Sequence, residues 1–574
     1  MTVILGISGY FHDSSVCLVI DDEIVEFVKE ESLTRIKGIN SFPVRALNYL
    51  LEQYNLNNGN IDYIAFYEQP LRAWAATIHH SIKTPWKSRK LLSMQIKDFW
   101  NGPISFSGDL KKVLNFDNKK IFYVPHHLSH ALSTLPFTPK PFSDAPSLQF
   151  VLDGVGDGYT QSVFIYRDGN VDCIHRMQYP HSLGLFYSTI TDFCGFSINE
   201  GEQKLMALAA YGKPKYLDFF RNELTEFNIP NFKLKMKYFE FNSDPEKSFN
   251  DNLINELGSP LKSYEIRSPN TEAFQRAADI AASTQKLTEE FLIKFVKWGI
   301  EKTGISSVGV SGGVAQNSVA LSKLQNLNEI ECLTIPPSPG DSGAALGATN
   351  FVHILKTNKS LAAKKLSYGT NQLKNKMNLF KKYYDPYPSE KSTLETICDL
   401  LRKGEILCCY LNGQEIGPRA LCDRSLICAG NNQSSIKELN EIIKKREQFR
   451  PLAPVMRPNI VEKYFKLWNA ARHNYQWMAL TAEAKESFPV SYQNVLHVDK
   501  SARIQILSDD THLISNVLDN LFGEIDILIN TSFNIAGDPI VFDLIDCFVN
   551  MKRMGLKFLL TDQGLYEIKR ETLK

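Results

Sequence analysis

Two separate stretches of the chain follow the same order of strands and turns. In the first, the apolar runs 3–8 (VILGIS) and 15–20 (SVCLVI) flank the polar turn GYFHDS, and a third run, 23–28, follows a second turn. In the second, SLQFVLD leads into GVGDG, and TQSVFIY and VDCIHRM follow, separated by RDGN. Apolar runs of this kind bounded by Gly, Asp and Asn predict strands joined by tight turns. The repetition predicts a domain built by internal duplication.

A third stretch places glycines between a buried strand and a helix. Residues 307–310 (SVGV) predict the strand, and Gly312 and Gly313 precede the helical run VAQNSVALSKLQN, which contains Asn317. Glycine lets a backbone approach a ligand closely, and a helix N-terminus offers free N–H groups to an anion, so we predict that these three residues contact a cofactor. The stretch 336–348 (PPSPGDSGAALGA) repeats the pattern around Asp341. Together with the repeated hairpins, these features resemble the duplicated actin/hexokinase/Hsp70-type nucleotide-binding fold.

The length of 574 residues predicts two large domains. Periodicity weakens over 355–392, so we place a boundary near 365, giving domains 1–365 and 366–574. Strand and helix patterns alternate in the second domain, which predicts an α/β fold. Residues 225–275, rich in Lys, Phe and Asn, are predicted to be an insertion in the first domain.

Composition predicts a cytoplasmic enzyme. A formal net charge of +1 argues against nucleic acid or an anionic membrane as the main partner. The 10 cysteines include no Cys-x-x-Cys pair, which is typical of reduced thiols in the cytosol. The N-terminal sequence does not have the pattern of a signal peptide, and no apolar run approaches the roughly 20 residues of a membrane span.

The segment FYVPHHLSHAL has His126 and His130 on one helical face, where two imidazoles can share a metal. Surface or core histidines are the simpler interpretation of such a pair. A zinc peptidase would need Glu after the first histidine, but position 127 is His. In the predicted fold, Asp153 and Asp341 reach the same cleft. Two imidazoles and two carboxylates suit Fe(II), Mn(II) or Zn(II).

Two further residues of the first domain are candidates for chemistry. His12, in the first hairpin turn, could accept a proton from a hydroxyl because its pKa lies near working pH; a turn histidine held by Asp13 is the alternative. Lys204 enters a small-residue helix and could reach a phosphate, although an exposed lysine is the more common explanation.

The second domain contains a dense set of cations in segments rich in apolar residues and proline turns. Guanidinium groups match phosphate and carboxylate oxygens in pairs, so a converging set suits carbamoyl phosphate and a nucleoside triphosphate, whereas single arginines are usually solvated charges. The amides and hydroxyl of INTSFN suit a neutral carbamoyl group. The candidates are Arg419, Arg424, Lys444, Arg446, Arg450, Arg503, Asn530, Ser532 and Asn534.

Many short strings of this chain resemble, in order, those of the carbamoyltransferases that act on nodulation factors, cephems, ansamycins and tobramycin. They run over nearly the whole chain. The matching strings are GYFHDSS, EESLTRIKG, VPHHLSHA, LDGVGDG, HSLGLFYS, EQKLMALAAYGKP, SGGVAQN, PPSPGDSGAALGA, EIGPRALCDRS, KKREQFRPLAP, HVDKSARIQ and NTSFN.

The resemblance implies an N-terminal domain like that of the tRNA threonylcarbamoyladenosine transferases and a C-terminal YrdC-like domain. It implies that the second domain makes carbamoyl adenylate from carbamoyl phosphate and ATP, with Mg(II), and that the first transfers the carbamoyl group to a hydroxyl of a small natural product or sugar. It implies iron at His126, His130, Asp153 and Asp341, carbamoyl transfer at His12, and adenylate formation at Arg419, Lys444, Arg450, Arg503 and Asn530.

Two positions depart from the family pattern: Cys422 stands where Gly is usual, and FRPLAP replaces FRPFAP. The alternatives are a tRNA-modifying transferase and an ATPase or kinase of the same fold without carbamoyl transfer. The sequence does not identify the acceptor, whose specificity is predicted to lie in 70–120 and 225–275. A homodimer is the default expectation for an oligomer.

Overall fold

The computed structural model describes residues 1–83, 90, 102–244, 246–369, 377–389 and 391–569. The chain divides into two compact units. The N-terminal unit comprises Met1–Glu30 and Gly38–Ala363, and the C-terminal unit comprises Glu31–Lys37 and Lys364–Lys574. A short segment from the first part of the chain thus belongs to the C-terminal unit, which a single boundary near 365 does not describe. None of the helices within the described residues is both long and apolar enough to cross a membrane.

The N-terminal unit contains two five-stranded sheets. The first has β1 (Val3–Ser8), β2 (Ser15–Ile20), β3 (Glu23–Lys29), β4 (Tyr63–Phe66) and β5 (Ile121–Tyr123), in the order β3-β2-β1-β4-β5. The second has β6 (Ser147–Gly156), β7 (Tyr159–Arg167), β8 (Asn170–Gln178), β11 (Ser307–Ser311) and β12 (Cys332–Thr334), in the order β8-β7-β6-β11-β12. A further hairpin, β9 (Thr225–Asn228) and β10 (Asn231–Leu234), lies between them in sequence.

Both sheets have the same topology. In each, the first three strands form an antiparallel meander, and two later strands add in parallel beside the first strand of that meander. The predicted duplication and the actin/hexokinase/Hsp70-like fold are therefore confirmed.

Small residues bring the helices of this unit close to its sheets. A Cβ added to Gly6 of β1 would lie 2.1 Å from the carbonyl oxygen of Ala345, in helix Asp341–Thr357. A Cβ added to Gly347 of the same helix would lie 1.6 Å from the carbonyl oxygen of Ser129, in helix His126–Leu132. The small-residue run GAALGA thus allows the helices that carry Asp341 and the two histidines to pack against each other.

The other α-helices of the N-terminal unit lie around these sheets. Helix Glu272–Thr303 is the longest, at 32 residues, and Thr271 caps its first turn. Residues 225–275, predicted as an insertion, contain β9, β10 and helix Asp251–Leu257; within 70–120, residues 84–89 and 91–101 lie outside the described residues. The remaining helices are Val44–Gln53, Pro70–Lys83, Phe106–Val113, Leu183–Phe193, Glu202–Leu208, Leu217–Phe219 and Ser318–Ser322, and Glu30–Thr34 crosses the unit boundary in sequence.

The C-terminal unit is built on a mixed sheet. Its strands are β13 (Ser367–Tyr368), β14 (Tyr384–Pro386), β15 (Leu407–Tyr410), β16 (Gln414–Glu415), β17 (Arg424–Ala429), β18 (Ala453–Met456), β19 (Phe465–Lys466), β20 (Ala482–Ala484), β21 (Ser501–Ala502), β22 (Gln505–Ile506), β23 (Leu528–Ser532), β24 (Phe558–Thr561) and β25 (Gly564–Ile568). Eight of them form the main sheet, in the order β14-β25-β24-β15-β17-β23-β18-β22. The core of the unit contains the fully buried Leu407, Ile427, Leu528 and Leu560.

Helices cover this sheet, which confirms the predicted α/β class; the YrdC-like resemblance stays a prediction. They are Met377–Tyr383, Thr393–Arg402, Gln433–Lys437, Pro458–Tyr464, Leu513–Asn520 and Leu544–Met554.

Candidate metal centre and anion site

Four buried side chains of the N-terminal unit converge on one point. His126, His130, Asp153 and Asp341 each offer a ligand atom, and these atoms lie within 4.8 Å of one another. Nε2 of His126 is 3.3 Å from a carboxylate oxygen of Asp153, and Nε2 of His130 is 3.2 Å from one of Asp341. The two Nε2 atoms are 3.1 Å apart. The four residues singled out from the sequence are thus brought together.

Backbone groups and a further carboxylate hold these ligands in place. The N–H of Gly313 donates to Asp153 Oδ1 at 2.9 Å. Nδ1 of His130 lies 3.1 Å from the carbonyl oxygen of Pro339, which leaves Nε2 for the site. Asp157, which the sequence reasoning did not single out, accepts the backbone N–H of His126 at 2.7 Å. The signal in the sequence that could have found Asp157 was its position in the turn DGVGDG, which begins at Asp153.

The electrostatics of the group fit a divalent cation. Burial by itself raises the pKa of Asp153, but His126 and His130 outweigh it and hold that pKa well below its usual range. Burial lowers the pKa of His126, but Asp153 and Asp341 outweigh it and raise that pKa to about 10. The second carboxylate oxygen of Asp341 is buried, and none of the described residues gives it a hydrogen bond. Imidazole and carboxylate donors without thiolate suit Fe(II), Mn(II) or Zn(II).

His12 lies at the edge of this group. Its Nδ1 is 3.0 Å from Asp13 and its Nε2 is 3.8 Å from Asp341. The His12 side chain is 24% exposed, so it can meet a ligand, whereas the four ligands are buried. Burial lowers the pKa of His12, but Asp341 and Asp13 outweigh it and raise that pKa to about 9.

The other residues of this unit that were predicted to bind a cofactor differ in the contacts they make. Gly312 has a φ of +90°, and an added Cβ would lie 2.3 Å from the carbonyl oxygen of Leu152, so only glycine fits there. The Asn317 amide caps helix Ser318–Ser322 and exchanges hydrogen bonds with Gln285. Nζ of Lys204 lies 5.7 Å from the centre of the Phe196 ring. Contact of these residues with a cofactor stays a prediction.

The C-terminal unit brings its predicted cations within electrostatic range of one another. Burial, then Arg450 and Arg446, lower the pKa of Arg419 to about 10. Burial, then Arg450 and Arg503, lower the pKa of Arg446 to about 9. Burial, then Arg419 and Arg450, hold the pKa of Arg503 well below its usual range, and its buried Nε has no hydrogen-bond partner in the part of the chain that the structure describes. A cluster of desolvated cations binds anions strongly.

Lys444 is held at this cluster by the strand end that was predicted to bind a carbamoyl group. Its Nζ donates to the carbonyl oxygens of Ser532 and Asn534, at 2.8 and 2.7 Å, and to Oδ1 of Asn534 at 2.7 Å. Arg446 donates to Oγ1 of Thr531, in the same strand end, at 2.8 Å. Burial, followed by Arg446 and other cations, lowers the pKa of Lys444 well below its usual range.

The orientation of the Asn530 side chain is fixed through its amide nitrogen. Its amide nitrogen donates to the carbonyl oxygen of Ala420 at 2.9 Å and to Oε1 of Gln505 at 2.6 Å. Its Oδ1 is buried and has no hydrogen-bond partner within the described residues. Cys422 lies against it, with Sγ 3.6 Å from the Asn530 amide nitrogen. The φ of Cys422 is +87°, a left-handed conformation that favours glycine.

Arg424, predicted to bind the cofactor, has structural contacts. Its guanidinium stacks on the ring of Tyr410, 3.7 Å from the centroid, and it donates to the carbonyl oxygen of Leu411. Glu415 accepts the backbone N–H groups of residues 421, 423 and 424. These contacts fix the loop before β17, and Glu415 was not singled out from the sequence.

The described residues thus form an α/β structure with a candidate metal centre in one unit and a buried cluster of cations in the other. Residues 3–350 match the family model described as the carbamoyltransferase N-terminus, and residues 398–567 match that of the carbamoyltransferase C-terminus. The chain therefore belongs to the carbamoyltransferase family, and it is an enzyme of that family.

Its relatives include both characterised and uncharacterised proteins. An uncharacterized protein of Synechocystis is 32% identical, over 98% of this chain and 96% of the relative. Nodulation protein NolNO of Sinorhizobium fredii is 27% identical, over 98% of this chain and 80% of that protein. The 3'-hydroxymethylcephem-O-carbamoyltransferase of Amycolatopsis lactamdurans is 25% identical, over 78% of this chain and 81% of that enzyme.

Proposed function

We propose that this protein is an ATP-dependent O-carbamoyltransferase with two half-reactions. The C-terminal unit makes carbamoyl adenylate, and the N-terminal unit transfers the carbamoyl group to a hydroxyl of a small molecule such as a natural product or sugar. The observation that carries this proposal is the pairing of a buried polycationic site with a buried His/Asp centre in one carbamoyltransferase chain. Neither site alone would favour this chemistry over phosphoryl transfer.

The first half-reaction takes place at the cations of the C-terminal unit. Carbamoyl phosphate, ATP and one water give carbamoyl adenylate, phosphate and pyrophosphate. Arg419, Arg446, Arg450 and Arg503 bind the phosphate oxygens of both substrates and stabilise the charge that develops on the leaving groups. Asn530, whose buried Oδ1 receives no hydrogen bond from the described residues, accepts one from the carbamoyl NH₂ group.

The second half-reaction takes place beside the His/Asp centre. The acceptor hydroxyl attacks the carbonyl carbon of carbamoyl adenylate, the C–O bond to AMP breaks, and the hydroxyl proton passes to Nε2 of His12. A divalent cation at His126, His130, Asp153 and Asp341, with iron as the family expectation, would neutralise the carboxylates and polarise a phosphate oxygen of the leaving AMP. His12 must be neutral to accept a proton, so the carboxylate charge that raises its pKa to about 9 has to be compensated first.

The test is mass spectrometry of reactions that contain ATP, Mg(II), carbamoyl phosphate and a panel of hydroxylated metabolites. We expect one acceptor to gain a single carbamoyl group, with one AMP formed per product. Carbamoylation of tRNA instead would favour the tRNA-modifying alternative. Release of ADP without any need for carbamoyl phosphate would favour a kinase or ATPase and would contradict the proposal.

A further inference from the structure

A short segment from the first part of the chain is built into the C-terminal unit. Residues Glu31–Lys37 belong to that unit, although the chain on both sides of them belongs to the N-terminal unit. They are part of the string EESLTRIKG, to which the proposed function assigns no role.

Arg35 attaches this segment to a loop of the anion site. Its two terminal nitrogens donate to the carbonyl oxygens of Ile540 and Pro539, both at 2.7 Å. Nη1 also lies 3.2 Å from a carboxylate oxygen of Asp546, at the start of helix Leu544–Met554. An arginine fork that meets two successive carbonyls fixes the position of a backbone, not only of a side chain.

The backbone at Arg35 adopts a conformation that favours glycine. Arg35 has a φ of +61° and ends helix Glu30–Thr34, a position where glycine is favoured. A residue with a Cβ costs free energy in the left-handed region. The arginine side chain therefore offsets a conformational cost that glycine would avoid.

The loop that Arg35 holds also holds Lys444. Residues 533–541 form a closed turn, in which the N–H of Val541 donates to the carbonyl oxygen of Phe533 at 3.0 Å and the Asn534 amide donates to the carbonyl oxygen of Asp538. Asn534 in turn accepts Nζ of Lys444 through its backbone and side-chain oxygens. Arg35 and Lys444 thus bind opposite ends of one loop.

The segment has a second contact with the anion site. The amide nitrogen of Gln414 donates to Oγ of the buried Ser32 at 3.0 Å, and Gln414 lies in the strand that precedes the GPRAL turn of Arg419.

We propose that Glu31–Lys37 is part of the anion site and that Arg35 is a positioning residue for the 533–541 loop and, through that loop, for Lys444. This inference rests on the proposed function, because it names residues for the adenylate-forming half-reaction. It implies that this half-reaction needs residues from the first tenth of the chain, which a domain defined as 366–574 would lack.

The test compares full-length variants in the two half-reactions separately. Arg35→Gly removes the side chain but relieves the backbone, and Arg35→Lys keeps the charge but loses the fork. We expect both Arg35 variants to lower kcat/KM for carbamoyl-phosphate-dependent pyrophosphate release about tenfold or more. Transfer from supplied carbamoyl adenylate should stay within about twofold of wild type.

The matched control is Arg402→Ala, which removes a surface arginine paired with Glu524 in the same unit. It should leave both half-reactions unchanged. Wild-type pyrophosphate release in both Arg35 variants would overturn the inference while leaving the proposed function intact. An equal loss of both half-reactions together with a lowered Tm would also overturn it. A wild-type enzyme that makes no adenylate would refute the proposed function itself.

Discussion

Replacing Gly156 by alanine should disable the metal centre without touching the anion site. A Cβ at position 156 would lie 2.0 Å from Cδ2 of His126 and 2.6 Å from its Nε2. Because carbon atoms pack at about 3.5–4.0 Å, the imidazole would have to withdraw by about 1.5 Å. It has little room to do so, since Asp157 holds its backbone N–H and the Tyr67 ring lies 5.0 Å from its own ring.

A displacement of that size should weaken metal binding at least about 100-fold, or about 2.7 kcal/mol. The measurement is calorimetric titration of the metal-free protein with Mn(II), or with Fe(II) under anaerobic conditions. Gly154→Ala is the matched control in the same turn, because its Cβ would meet only Leu185, at 4.0 Å. Pyrophosphate release should be normal in both variants. Equal metal affinity of Gly156→Ala and Gly154→Ala would refute this account of how His126 is positioned.

Three further predictions concern the anion site, the transfer site and stability. Lys444→Ala should lower adenylate formation roughly 100-fold or more but preserve transfer from supplied carbamoyl adenylate. His12→Asn should preserve adenylate formation but lower the transfer step. Equal losses of pyrophosphate and carbamoylated product in either variant would contradict the assignment of the two steps to different units. Cys422→Gly should raise the Tm relative to Cys422→Ala, because relief of the left-handed backbone is worth about 1 kcal/mol; the opposite order in a thermal scan would contradict that. Burial lowers the pKa of His512, but its ion pair with Asp423 outweighs burial and raises that pKa. The stability this pair contributes is therefore present below the unfolded pKa of about 6.5 and is lost as pH rises through the raised folded value. The Tm difference between wild type and His512→Asn should shrink as pH rises above about 6.5; a constant difference would contradict the assignment.

The duplication and the four candidate metal ligands could be predicted because both depend on local patterns in the sequence. The repeated strand–turn units fix the topology of each sheet, and that topology places Asp153 at the end of β6 and Asp341 at the start of a helix. The histidine spacing then needs only one helical turn to present both imidazoles on one face. Each step uses residues close in sequence.

The remaining features depend on contacts between distant residues. Arg424 has the same motif context as Arg419, but the stacking on Tyr410 that gives it a structural role is set by the pairing of β15 with β17. No periodicity indicates that Arg35 belongs to the C-terminal unit. The positive φ of Cys422 follows from the loop that Glu415 organises, although the usual glycine at that position was a signal for it.

The most direct test follows labelled carbon from carbamoyl phosphate in the absence of any acceptor. Wild-type protein is supplied with carbon-labelled carbamoyl phosphate, ATP and Mg(II), and the products are separated by rapid-quench chromatography. The account predicts a labelled nucleotide that carries the carbamoyl group, formed together with an equal amount of pyrophosphate. Pyrophosphate that appears without carbamoyl phosphate, or the absence of any labelled nucleotide, would contradict it.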